Sequence, residues 1–173
     1  VRSEADEYAG ESDSTESLLA AAVTGLTAEL EVAAEPERAP RMRAYMKGRF
    51  EFLGVPSPAR RMAAAPFIAS FKGEGEEVLL RAAATLWSMP QREYAYVAAD
   101  LLRRYEQRLS PDALARLHAL VVSGPWWDGV DSLAHVVGAV VRAHPEAAGV
   151  MDTWARDDDM WVVRVAIIHQ LGW

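Results

Sequence analysis

Ser123-Gly124-Pro125-Trp126-Trp127-Asp128-Gly129-Val130-Asp131-Ser132-Leu133-Ala134-His135-Val136-Val137-Gly138-Ala139-Val140-Val141-Arg142-Ala143-His144-Pro145 reads as one helix between two breakers. The Ser-Gly-Pro run interrupts the chain before it, and Pro145 disfavours helix in the residue that precedes it. The spacing predicts a helix over 127–143. Working outward, the same alternation of amphipathic segment and breaker predicts eight more, at 15–34, 38–49, 57–71, 74–87, 90–107, 111–122, 145–155 and 159–171. Ser57-Pro58, Met89-Pro90 and Ser110-Pro111-Asp112 put proline at or near a first turn, where its missing N–H costs nothing. Asp157-Asp158-Asp159 offers an N-cap and dipole-matched charge to the last helix. Connections of one to seven residues imply antiparallel neighbours. The expected fold is all-α: an α-solenoid of antiparallel helix pairs, each pair spanning roughly 35–40 residues as in HEAT-like repeats.

Composition agrees. The chain has 173 residues, 51% of them apolar, enough for one domain with a real core. Alanine and leucine dominate that apolar set, which favours helix over strand. Cysteine is absent, which excludes disulfides, zinc–thiolate sites and Cys-ligated clusters. His118, His135, His144 and His169 are scattered without HExxH spacing, so a catalytic metal is not expected. No run approaches about 18 consecutive apolar residues, and the first residues lack a basic segment followed by an apolar one. A cytoplasmic location follows by default, although the sequence begins at Val1 rather than Met.

The net charge of −7 is unevenly placed. Residues 1–35 carry nine acids and one base, while residues 36–61 carry seven bases and two acids. Phosphate binding depends on such a local patch rather than on the whole-chain charge. Residues 1–16, rich in Ser, Glu and Asp, are expected to form a disordered acidic tail, and 17–173 the helical repeat domain. The last helix is strongly apolar and the sequence stops two residues after it. A solenoid normally ends in an element with a polar outer face, so the repeat domain is expected to be incomplete at its C-terminal end.

Three constellations stand out. Trp127 and Asp131, four apart on a helix, share a face; an aromatic surface beside a carboxylate suits a cation or a developing positive charge. The structural alternative makes the tryptophans core and leaves Asp128 and Asp131 as cap and surface. Tyr45 lies within a basic stripe that includes Arg43, Lys47 and Arg49, a pattern that suits phosphate contact with stacking and equally a solvated helix face. Trp161 and Arg164 are three apart on the last helix. Arg164 is embedded in apolar sequence, where it needs a partner, either an intramolecular aspartate or a ligand. Trp87 and Trp154 read as core, and so does His135. No GxSxG, Walker A or Rossmann pattern is present.

Three ordered stretches resemble the AlkD-like DNA alkylation-repair glycosylases. They are Tyr45-Met46-Lys47 with Phe52-Leu53-Gly54-Val55 and Ser57-Pro58-Ala59-Arg60-Arg61; Leu86-Trp87-Ser88-Met89-Pro90-Gln91-Arg92-Glu93-Tyr94 with Asp100-Leu101-Leu102; and Trp126-Trp127-Asp128-Gly129-Val130-Asp131 with Met160-Trp161 and Arg164-Val165-Ala166-Ile167. The resemblance covers about residues 18–173. It implies excision of cationic N3- or N7-alkylated purines from double-stranded DNA by a monomer without metal or cofactor. It places Asp131 on the family's catalytic aspartate, Trp127 on the tryptophan beside it, Arg164 on the arginine of the cleft and Tyr45 on the N-terminal aromatic. Trp126 and the basic residues Arg43, Lys47 and Arg49 are expected to contact the DNA. The family continues with further helical repeats. The rival readings are a non-catalytic HEAT-like scaffold for DNA or protein, and a protein adaptor unconnected to DNA.

Overall fold

The computed structural model describes the backbone of residues 4–171 and the side chains of residues 14–171. Among the described residues it is all-helical, with no β-strand. The nine α-helices are α1 (Glu4–Val32), α2 (Ala39–Tyr45), α3 (Ser57–Ser70), α4 (Glu76–Trp87), α5 (Arg92–Arg104), α6 (Ala113–Val122), α7 (Trp127–Ala143), α8 (Ala148–Trp154) and α9 (Met160–Ile168). Each falls on a segment that the periodicity predicts. The largest shift is at α1, whose backbone is helical from Glu4 rather than from 15. Residues 1–3 of the expected tail lie outside the described residues, as do the side chains of 4–13. No single described helix is long and apolar enough to cross a membrane.

The chain divides into two compact units with the boundary at Gly73–Glu74, inside the span expected as one domain. In the first, α1 packs on α3. Leu19, Leu26 and Leu30 of α1 recur at helical spacing and are buried, as are Ala64 and Phe67 of α3 and Phe71 just after it. Full burial of one such large apolar side chain contributes about 1.5–3 kcal/mol. The rings of Phe67 and Phe71 lie 5.0 Å apart. α2 stops four residues short of its expected end. Lys47 and Gly48 adopt left-handed φ values of 57° and 73°, and the Gly48 N–H donates back to the Arg43 carbonyl at 2.9 Å. A glycine just past a helix end is the usual device for this closure; holding a lysine left-handed beside it costs roughly 1–2 kcal/mol.

The second unit is built from stacked pairs. α4 packs on α5, α6 on α7 and α8 on α9, while α4 also meets α6, α5 meets α7 and α7 meets α9. α7 is the axis of this unit. Ten of its 17 residues are buried, including Val130, Leu133, Val137 and Val140, so its position is fixed by apolar packing before any polar group is considered. The helix ends as predicted, at His144-Pro145, with a 3-10 turn over Pro145–Ala147 leading into α8. His135 is a correction: it is exposed, not core. It lies one turn after Asp131 on the polar stripe of α7, opposite the buried valines. Among the described histidines it is His169 that is buried, its Nδ1 at 2.9 Å from the Ala166 carbonyl.

Candidate active site

The start of α7 organises the site. Trp126 is extended (φ −157°, ψ 156°), and its carbonyl accepts the first helical bond from the Val130 N–H at 3.0 Å. No side chain of Trp126 caps the helix. Asp128, in the first turn, is turned inward. Its carboxylate accepts from Arg92 Nε at 3.0 Å and Nη2 at 2.8 Å, and from the Tyr96 hydroxyl at 2.7 Å. The Arg92 and Asp128 side chains are 4% and 6% exposed. The structural reading that makes Asp128 a cap or surface residue is therefore replaced by a buried, bidentate ion pair between α5 and α7.

One turn further on, Asp131 meets Arg164 of α9. Arg164 Nε donates to Oδ1 at 2.6 Å and Nη2 to Oδ2 at 2.8 Å. This second pair is open: Arg164 is 41% and Asp131 37% exposed. The hydrogen bonds to Asp131, with its charge, hold the Arg164 guanidinium above its ordinary pKa against a smaller opposing effect of burial. Nε and Nη2 carry the pairing, which leaves the two Nη1 donors of Arg164 for other acceptors. The same helix brings Trp161 against Trp126, with ring centroids 5.7 Å apart and planes at 52°. α9 is held at its start by Asp159, whose Oδ1 accepts from the Trp161 N–H at 2.7 Å. Trp127 remains 38% exposed.

The structure thus joins Asp131 to Arg164 and Trp126 to Trp161, and Trp127 is partly exposed on the first turn of α7. The other residues singled out from the sequence belong to the first unit. Tyr45 closes α2 and is 67% exposed. Lys47 and Arg49 are exposed in the turn that follows. Arg43 is 2.8 Å from Glu51 in an exposed pair, Arg38 pairs with Glu35, and Arg60 is buried. The basic stretch is consequently narrower than its charge count suggests. Among the described residues, no three His, Asp or Glu side chains are grouped to hold a metal ion.

Arg92 and Tyr96 are the residues that the motif reading missed. One signal was available for Arg92. It opens α5, and a cation in a first turn opposes the helix dipole unless it has a partner. Trp87 and Trp154 are buried as read, and Trp87 Nε1 donates to the Ser123 carbonyl at 2.9 Å.

An all-helical chain with a carboxylate–guanidinium pair framed by tryptophans defines a class that comparison makes specific. The chain matches the family described as DNA alkylation repair enzyme over residues 26–173. It belongs to that family. It is similar to a solved structure, a predicted DNA alkylation repair enzyme from Enterococcus faecalis, with 31% identity and a TM-score of 0.74. The similarity covers 80% of this chain and 65% of that one, so the chain spans just under two thirds of the length of that structure. No curated protein matches it.

Proposed function

We propose that the chain takes part in excising cationic N3- or N7-alkylated purines from double-stranded DNA by hydrolysing the N-glycosidic bond. The observation that carries this reading is the open Asp131–Arg164 pair at the start of α7, beside Trp127 and the Trp126–Trp161 contact.

A purine alkylated at N3 or N7 already bears a positive charge. When its bond to C1′ breaks, the base takes the bonding electrons and leaves neutral, so no general acid is required. The barrier lies in the positive charge that builds on the sugar. A carboxylate fixed beside that sugar stabilises it electrostatically. Water then adds to C1′, and in this reading Asp131 orients it and accepts its proton. Arg164 holds both carboxylate oxygens in one geometry, and its Nη1 donors suit a neighbouring phosphate. The face of Trp127 suits the cationic nucleotide. Taken by itself, the first unit offers DNA an exposed aromatic in Tyr45 and exposed bases in Lys47, Arg49 and the Glu51-paired Arg43.

One observation favours a second reading, a non-catalytic scaffold for DNA. A bidentate pair is also what a purely structural tie between α7 and α9 looks like. Release of 7-methylguanine from methylated duplex DNA separates the two: the glycosylase releases base, and the scaffold binds DNA without releasing any.

A further inference from the structure

The Arg92–Asp128–Tyr96 cluster lies outside the residues assigned to the reaction, yet it touches the segment that presents them. Four polar ties converge on residues 123–128. Trp87 Nε1 holds the Ser123 carbonyl at 2.9 Å. Arg92 Nη1 reaches the Gly124 carbonyl at 3.5 Å. Arg92 grips both oxygens of Asp128, and the Tyr96 hydroxyl donates to one of them. The guanidinium also lies 5.7 Å from the centre of the Trp87 ring. Gly129 shows how closely the parts fit: a Cβ there would stand 2.6 Å from Arg92 Nη2 and 3.1 Å from the Trp87 ring.

Stability alone gives no reason for this arrangement. Burying two charges costs desolvation, and apolar side chains of similar size generally stabilise such a position as well or better. What the ion pair adds is direction. A bidentate guanidinium–carboxylate contact fixes distance and rotation together. Here it does so at the start of α7, where no side chain caps the helix, one residue from Trp127 and one turn from Asp131.

We infer that Arg92, Asp128 and Tyr96 form a buried clamp that sets the register of the Trp127–Asp131 turn, and that all three are positioning residues for the reaction proposed above, on which reading the catalytic half of this inference rests. None of the three touches substrate; they act through α7. Misplacing a reacting group by about 1 Å costs on the order of 100-fold in rate, so loss of the clamp is expected to lower turnover without weakening DNA binding.

The test uses Tyr96→Phe and the paired replacement Arg92→Met/Asp128→Leu, which removes the clamp without leaving a buried charge. Single-turnover release of 7-methylguanine, affinity for undamaged duplex, thermal denaturation and amide hydrogen exchange at residues 126–131 are measured on each. The paired variant is expected to melt near the wild type and bind DNA within about two-fold, to release base at least about ten-fold more slowly, and to exchange its 126–131 amides at least about ten-fold faster. Tyr96→Phe is expected to show the same pattern at a few-fold, and it decides the matter if the paired variant does not fold. A folded paired variant with wild-type rate and exchange overturns the clamp and leaves an ordinary core ion pair. If the wild-type chain itself releases no base, the glycosylase reading fails. The exchange measurement then still decides whether the clamp anchors the turn: faster exchange upholds it and unchanged exchange overturns it.

Discussion

Asp128 and Asp131 are three residues apart, and they sit in opposite environments. The Asp128 carboxylate is 6% exposed and bound by Arg92, while Asp131 is 37% exposed and bound by Arg164. Substitution is therefore expected to separate them. Asp128→Asn leaves the buried Arg92 charge uncompensated and is expected to cost about 3–5 kcal/mol in a urea denaturation. Asp131→Asn, in a pair that water screens, is expected to cost no more than about 1 kcal/mol by the same measurement. Gly129→Ala is expected to destabilise by about 1–3 kcal/mol although alanine is the better helix former, because its methyl would overlap Arg92 and Trp87. Arg164 contributes no pH dependence in the working range. Its folded pKa is raised, so its contribution to stability is complete below the unfolded value and is lost only at strongly alkaline pH. Base release is expected to show no alkaline limb from this residue between about pH 6 and 10, as a rate profile over that range would report. The Trp-Trp-Asp-Gly-Val-Asp run was legible as a site candidate, and the i, i+4 relation of Trp127 and Asp131 is geometry that any helix guarantees. Which aspartate goes inside was not legible. Its partner lies 36 residues away on α5, and no local pattern encodes that contact.

At the scale of helices, the punctuation carried most of the information. Proline in the first turn of α3, the His144-Pro145 break after α7 and the aspartate run before α9 each mark a boundary that the backbone obeys. The early end of α2 was harder to read. Only Gly48 signals it, and the left-handed lysine beside that glycine follows from the fold rather than from residue preference. His135 was misread because a histidine in a valine-rich helix looks buried until the direction of the apolar stripe is known. The cap of α9 is open to test. Asp159→Ala removes the acceptor for the Trp161 N–H and is expected to cost about 1 kcal/mol. Because α9 also carries Arg164, the same variant is expected to weaken the tie to Asp131 and slow base release by a few-fold.

For the whole molecule, charge placement matters more than net charge. The bases of residues 36–61 outnumber the acids there, but Arg38 and Arg43 are ion-paired and Arg60 is buried. Few cations remain to meet phosphate, so DNA affinity is expected to be modest and to fall steeply with salt. Removing residues 1–16, which carry six acids and one base, is expected to raise affinity for undamaged duplex, as fluorescence anisotropy across a salt series would show. Family membership and the all-helical fold rest on most of the chain, whereas the proposed chemistry rests on a single carboxylate. The most direct test compares the wild type with Asp131→Asn for release of 7-methylguanine from methylated duplex DNA, with DNA affinity measured in parallel. The wild type is expected to release base, and the variant to bind DNA as well but release base at least about 100-fold more slowly. Release by Asp131→Asn at the wild-type rate would contradict the account.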